Sequence, residues 1–285
     1  MHFNALLSIL AVTGTATCSC LHGTTFLRRE LSEGGQVRVS NFSYDGERGP
    51  INWASLNQNN TLCRTGTTQS PINIDDTISK VDSSGAPDVD IPVVNEAAIE
   101  NVGSSLNIIV NGTTTYQGNT FSLRQFHFHT PGEHRIREEY YPMEMHMVHQ
   151  SDSGSLLVLA ILFQLSEDGC STDLITSSVV NIEDVREPGN VSKTGRLDFT
   201  QIIEAFTTGS LYTYTGSLTT PPCSEGVTFI VLEDPFSIDV KTYNVLKSVM
   251  KYNSRYLQNQ PNHENLIQMA AEDSGCLASN ETTSS

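Results

Sequence analysis

At 285 residues the chain is long enough for one large domain with a sizeable buried core. Its composition is that of a soluble globular protein, 38% hydrophobic and 17% charged, with a formal net charge of −16. So acidic a surface repels nucleic-acid phosphates and anionic membranes, which argues against both as partners.

In chain order, residues 1–20, "MHFNALLSILAVTGTATCSC", read as a secretory signal whose apolar core is Ala5–Val12, although no Lys or Arg precedes it. Residues 21–40 read as a polar tail, and the folded domain is expected over 41–271, opening near "NFSYDGERGPINW" with Tyr44, Pro50 and Trp53. The segment "SKVDSSGAPDVD" (79–90) carries loop chemistry. Strand patterns follow at "LNIIVN" (106–111), "FSLRQFHFH" (121–129), "MEMHMVHQ" (143–150), "SLLVLAILFQL" (155–165), "LYTYTGS" (211–217) and "GVTFIVLE" (226–233). The run 155–165 is apolar on both faces, which places it centrally in a sheet. Helical patterns are fewer, at about 172–186, 197–206 and 237–252. Residues 272–285 read as a disordered tail without the hydrophobic end of a lipid-anchor signal, and no later stretch approaches the ~20 apolar residues of a spanning helix. The expected fold is mainly β (α+β): a single domain with a large central, mostly antiparallel twisted sheet and a few short peripheral helices. Nothing in the sequence sets an oligomeric state.

Asn41, Asn59, Asn111, Asn190 and Asn280 each begin an N-x-S/T triplet, and with the signal they predict a secreted glycoprotein. Cys18 and Cys20 lie near the expected cleavage point. The remaining Cys63, Cys170, Cys223 and Cys276 form no C-x-x-C pair, so two disulfides in an oxidising compartment are expected, with three pairings open.

Five of the eight histidines fall between positions 127 and 149. In a strand, side chains alternate, so His127 and His129 share one face and Phe126 and Phe128 the other. Two imidazoles roughly 6–7 Å apart along the strand can reach one ion. If strand 143–150 is the neighbour, His146 completes a three-His set, with Glu144 two residues earlier on its face. Gln125 stands in the same relation to His127, so each strand carries a polar partner for its ligand. Three neutral imidazoles plus water form a catalytic zinc arrangement with one open position. His134 and His149 are expected to hydrogen-bond structurally.

"QSPINI" (69–74), "QFHFHTPGEH" (125–134), "MEMHMVH" (143–149), "GSLTTPPCSEGV" (216–227) and "NSR" (253–255) together resemble, in order and spacing, the alpha-class carbonic anhydrases, in particular their bacterial, plant and protist branch. The resemblance covers about 42–260. It implies reversible hydration of CO₂ to bicarbonate and a proton through zinc-bound hydroxide, with Zn²⁺ on His127, His129 and His146. Gln125 and Glu144 would orient His127 and His146, and the Asn253 carbonyl would orient His129. Thr219 would accept a hydrogen bond from the hydroxide and donate one to Glu133; Thr220 would line the bicarbonate site. Val148, Val158, Leu218, Val227 and Phe229 would form the apolar wall for CO₂, and Tyr44 and Asn107 would join the water network. Arg255 matches a structural residue of the family. Cys63–Cys223 matches the disulfide of the branch, leaving Cys170–Cys276 as the residual pair. Many family members carry a proton-shuttling histidine where this chain, in "IENVGSSLNI", has Ser104, which cannot titrate near neutrality. The alternative is a catalytically inactive carbonic-anhydrase-like binding or structural domain.

Overall fold

A computed structural model describes residues 36–82 and 84–273. The expected signal, most of the polar tail, Cys276 and Asn280 lie outside them. In chain order the strands are β1 (Asn73–Ile74), β2 (Ser79–Val81), β3 (Asp88–Asp90), β4 (Ala98–Asn101), β5 (Leu106–Ile109), β6 (Thr113–Tyr116) and β7 (Asn119–His129), followed by β8 (Arg135–Ile136), β9 (Met143–Ser151), β10 (Leu156–Leu165), β11 (Val191–Lys193), β12 (Leu211–Ser217), β13 (Glu225–Leu232) and β14 (Phe236–Ile238). The helices are α1 (Trp53–Leu56), α2 (Leu62–Thr65), α3 (Asp173–Ser178), α4 (Thr200–Thr208), α5 (Val240–Met250) and α6 (Leu266–Asp273). None of the described helices is long and apolar enough to cross a membrane.

The main sheet runs β11-β4-β5-β7-β9-β10-β13-β12-β2. Its pairs are antiparallel except where β10 meets β13 and β14 in parallel. The expected central strand is indeed interior, because β10 is apolar on both faces and buries both. Leu157, Leu159, Ile161 and Phe163 enter a large core covered by α3, α4 and α5, while Val158, Ala160 and Leu162 enter a second core on the opposite face. Phe126 and Phe128 join the large core at 0% exposure, their rings edge to face at 5.7 Å. Behind the histidine face, β7 is therefore anchored by two aromatic side chains, each a large contribution to burial.

Strict alternation along β7 fails at one place. Phe121 and Leu123 share the large core with Phe126 and Phe128, although odd and even positions should face opposite ways. The register against β9 shifts between Leu123 and Gln125, and the extra residue, Arg124, is exposed. This β-bulge reverses the parity of the strand and aims Gln125, His127 and His129 together away from the core.

Two other elements differ from the sequence reading. The helix expected over 172–186 divides into α3 and a 3-10 turn at Ile182–Val185. Between them lie Val179, Val180 and Asn181, all weak helix formers. The loop expected over 79–90 has short strands β2 and β3 at its ends, with a turn between them in which the Asp82 carboxylate accepts from the Ser84 and Gly85 N–H groups. Folded contacts also begin ahead of position 41, since Val37 is buried and its N–H donates to the Gly189 carbonyl at 2.9 Å.

A third, smaller core of Phe42, Trp53, Cys63 and Cys223 surrounds the one disulfide among the described residues, Cys63–Cys223. Cys170 is exposed and pairs with no cysteine among the described residues, its suggested partner Cys276 lying outside them.

His149 is a structural residue. Its Nδ1–H donates to the Met147 carbonyl at 2.9 Å, and Nε2 lies 3.0 Å from the Thr114 hydroxyl. Burial lowers its pKa to about 4. The unfolded chain therefore binds a proton at this histidine between about pH 6.5 and 4 that the folded chain refuses, and stability is lost as pH falls through that window. The loss is at most about 3 kcal/mol for this group. Thermal unfolding of metal-free protein is expected to drop across this window, with a shallower drop in His149→Gln; equal slopes would show that His149 does not contribute.

Candidate metal centre

β7 and β9 pair so that His127 stands opposite His146 and His129 opposite Glu144. The three imidazoles are thereby neighbours, with ring centroids 4.7 to 5.5 Å apart. Each ring has one nitrogen committed to an acceptor. His127 Nδ1 is 2.9 Å from Gln125 Oε1, His129 Nδ1 is 2.8 Å from the Asn253 carbonyl, and His146 Nε2 is 2.6 Å from Glu144 Oε1. A nitrogen facing a carbonyl or carboxylate must carry the proton, so the other nitrogen of each neutral ring presents a lone pair. His127 Nε2, His129 Nε2 and His146 Nδ1 therefore face one another; the first two are 3.1 Å apart, and one ligand atom from each of the three rings lies within 4.8 Å of the others. Three converging lone pairs repel unless a cation lies between them, and imidazole nitrogens suit zinc.

Electrostatics keeps these rings neutral. Burial lowers the pKa of His129 to about 4 and also depresses His146. His127, whose edge remains open to solvent, is held well below its usual range by burial and by the charge that His129 and His146 would carry.

Glu144 is wholly buried and accepts four hydrogen bonds: from His134 Nδ1 and His146 Nε2 on Oε1, and from the Glu133 and His134 N–H groups on Oε2. Burial alone would raise its pKa, but the facing His134 and His146 and their hydrogen bonds hold it well below the carboxylate range. The sequence reading did not find what lies behind His134. Because its Nδ1–H is given to Glu144, its Nε2 accepts from the Tyr214 hydroxyl at 2.6 Å. Tyr214 in turn accepts from Ser70 Oγ at 2.8 Å, and Ser70 Oγ accepts from the Ser217 N–H at 3.0 Å. These partners are 80 and 144 positions apart, so no local pattern announces them.

Glu133 is 3% exposed. Its Oε1 accepts the Arg255 N–H at 2.8 Å, while Oε2 is left without a hydrogen-bond partner, 3.9 Å from His146 Nδ1. Burial raises its pKa to about 7 against the attraction of His146. The Thr219 hydroxyl is near enough to lower that pKa slightly, yet it forms no aligned bond to Oε2. Thr219 is buried and Thr220 half-buried, on a turn closed by the Cys223 N–H to the Thr220 carbonyl. Val148, Val158, Leu218, Val227 and Phe229 are all buried in the second core. Phe229 lies 5.8 Å from the His146 ring.

A family model for eukaryotic-type carbonic anhydrase matches residues 48–268. The chain belongs to the alpha carbonic anhydrase family. A solved structure of a fungal alpha carbonic anhydrase from Aspergillus oryzae is 40% identical, with a TM-score of 0.79 over 81% of this chain and 98% of that one. A carbonic anhydrase of Klebsiella pneumoniae is 34% identical over 208 residues, covering 71% of this chain and 80% of its own. Alpha carbonic anhydrase 7 of Arabidopsis thaliana is 28% identical across 94% of both chains. The protein is thus a carbonic anhydrase enzyme, of a metalloenzyme family whose general activity is CO₂ hydration.

Within this carbonic anhydrase, Tyr44 packs edge to face on Trp53, and its buried hydroxyl lacks a protein partner. Asn107 stands opposite His127 on β5, and its Oδ1 accepts from Ser105 Oγ at 2.7 Å. Ser104 is 8% exposed, with its Oγ 2.8 Å from Ser40 Oγ.

The four-bond setting of Glu144 yields a direct test. In Glu144→Gln, an amide must face N–H donors on both sides, one of which then meets an N–H instead of an oxygen. Zinc affinity is expected to fall by about 10–100-fold, as for other groups that orient metal ligands. Competition against a chelator measures this, and parental affinity would remove Glu144 from the role.

Proposed function

We propose that this carbonic anhydrase holds Zn²⁺ on His127, His129 and His146 and uses it to convert CO₂ and water reversibly into bicarbonate and a proton. The observation that carries this is the pinning of one nitrogen on each ring, which leaves three lone pairs directed at one point. Zinc held there would supply Lewis acidity that lowers the pKa of water to about 7, a property of carbonic anhydrases as a class, and so would make a nucleophile for CO₂ available at neutral pH.

The remaining work falls to the chain. CO₂ is apolar, and Val148, Val158, Leu218, Val227 and Phe229 give it an apolar surface to rest on. A small turn of the Thr219 hydroxyl would let it donate to the unpartnered Oε2 of Glu133, leaving its oxygen an acceptor only, so that it admits a nucleophile that still carries a proton and disfavours ligands that do not. The Thr219 N–H faces a substrate or product oxygen, and Thr220 borders the bicarbonate position. Gln125, Glu144 and the Asn253 carbonyl fix which nitrogen of each ring is free. Tyr44 and Asn107 order water at the cavity. Ser104 offers no base to receive the released proton, so a mobile buffer does.

Secretion is part of the same reading. It is supported by the Cys63–Cys223 disulfide and by exposed sequon asparagines Asn41, Asn59 and Asn111, three of the four candidate glycosylation positions among the described residues. Asn190 is half-buried, and its Nδ2 donates to the Asp184 carbonyl, which disfavours modification there.

The test is zinc stoichiometry measured with CO₂ hydration, before and after chelation. One zinc per chain and activity that is lost on chelation and restored by zinc are expected. A chain that binds no zinc, or that hydrates CO₂ unchanged after its removal, overturns the proposal.

A further inference from the structure

Every polar group of Asn253 is engaged. Its N–H donates to the Thr130 carbonyl at 3.1 Å, and Oδ1 accepts from the Thr130 N–H at 2.7 Å. Nδ2 donates to the Phe128 carbonyl at 2.9 Å and to the Ser104 carbonyl at 3.2 Å. Its own carbonyl accepts from His129 Nδ1 at 2.8 Å. Most of these bonds tie Asn253 to the end of β7. The one to Ser104 ties it to the turn between β4 and β5, a separate piece of chain.

A third segment grips the same turn. The Ser40 N–H donates to the Val102 carbonyl at 2.8 Å, and Ser40 Oγ is 2.8 Å from Ser104 Oγ. Further along, the Val37 N–H donates to the Gly189 carbonyl, whose own N–H donates to the Asn101 carbonyl. The fit is close: a Cβ on Gly103, where φ is +81°, would lie 2.7 Å from a Val39 methyl. Asn253 is 1% exposed and Ser104 8%, while Ser40 is half-buried.

We propose that residues 36–40 are a strap whose hydroxyl contact with Ser104 sets the position of Asn253 and, through its carbonyl, the ring of His129. Ser40 and Ser104 are positioning residues that act through Asn253. The proposal rests on the reading of the three histidines as zinc ligands. It makes metal retention depend on a segment remote in sequence from every ligand.

The experiment follows zinc release to an excess of chelator from the parent chain and from Ser40→Ala, Ser104→Ala, the double variant and Ser40→Thr. Each single alanine variant is expected to release zinc about five-fold faster, the effect of losing one ordinary hydrogen bond. The double variant should be no faster than either single one, because both remove the same contact. Ser40→Thr retains the hydroxyl and should stay near the parent. Parental release rates in the single variants, additive effects in the double variant, or a threonine variant as fast as the alanine one each overturn the strap. A parent that retains no zinc overturns the ligand reading as well, whereas a parent that retains it beside variants that release it no faster overturns the strap alone.

Discussion

His129→Ala is expected to lose its zinc on dialysis and to hydrate CO₂ more than about 10³-fold more slowly than the parent. Groups that merely orient a metal ligand are worth about 10–100-fold, so removal of a ligand exceeds that range. The site cannot recover by rearrangement. His129 is wholly buried at the end of β7, and the Asn253 carbonyl it satisfies would be orphaned. With two imidazoles left, the chain would offer one nitrogen fewer than the three that a catalytic zinc site of this kind uses. Zinc content after exhaustive dialysis and stopped-flow CO₂ hydration decide the matter together. Stoichiometric zinc with near-parental turnover in this variant would exclude His129 as a ligand.

Turnover of the parent enzyme should depend strongly on buffer. A group of pKa about 7 can release a proton to bulk water at only roughly 10³ s⁻¹, given recapture near the diffusion limit, whereas the fastest carbonic anhydrases reach about 10⁶ s⁻¹. A titratable side chain on the way out closes that gap where one exists. Here Ser104 occupies the expected place, and its hydroxyl is paired with Ser40. Two other described histidines outside the metal set are committed elsewhere, His134 to Glu144 and Tyr214 and His149 to Met147 and Thr114. In low buffer, kcat is therefore expected near 10³ s⁻¹ and to climb by up to about 10³-fold with added imidazole, while kcat/KM stays constant. A kcat that is already high at trace buffer, and flat thereafter, would mean that the chain carries its own proton relay.

Much of this was legible before the fold was known because period-2 patterns are local. β9 buries Met143, Met145 and Met147 on one face and turns Glu144, His146 and Val148 to the other, as alternation requires. β10 is interior because its apolar run leaves no polar face for water. What escaped the sequence is what depends on non-local pairing. Nothing in "LYTYTGS" marks Tyr214 as the donor to a histidine 80 positions earlier. The division of the helix after Ser178 lies in the weak helix propensity of Val179, Val180 and Asn181, which a coarse helical pattern over 172–186 does not resolve. Cys63 and Cys223 were open among three pairings until the family resemblance chose one, because 160 intervening residues say nothing about approach in space. The pairing of Thr219 with Glu133 is likewise non-local: the fold places the Thr219 hydroxyl beside the Glu133 carboxylate, whose Oε2 is otherwise unpartnered.

The bulge at Arg124 makes chain length, rather than side-chain identity, the critical variable at one point of β7. Arg124 points into solvent and its replacement by another polar residue disturbs little, whereas its deletion would restore plain alternation and set the two halves of the strand against each other. Either Phe121 and Leu123 would swing out of the core or the imidazoles would swing into it. A lineage carrying this strand can therefore drift freely in what it places at position 124, but it cannot lose the position.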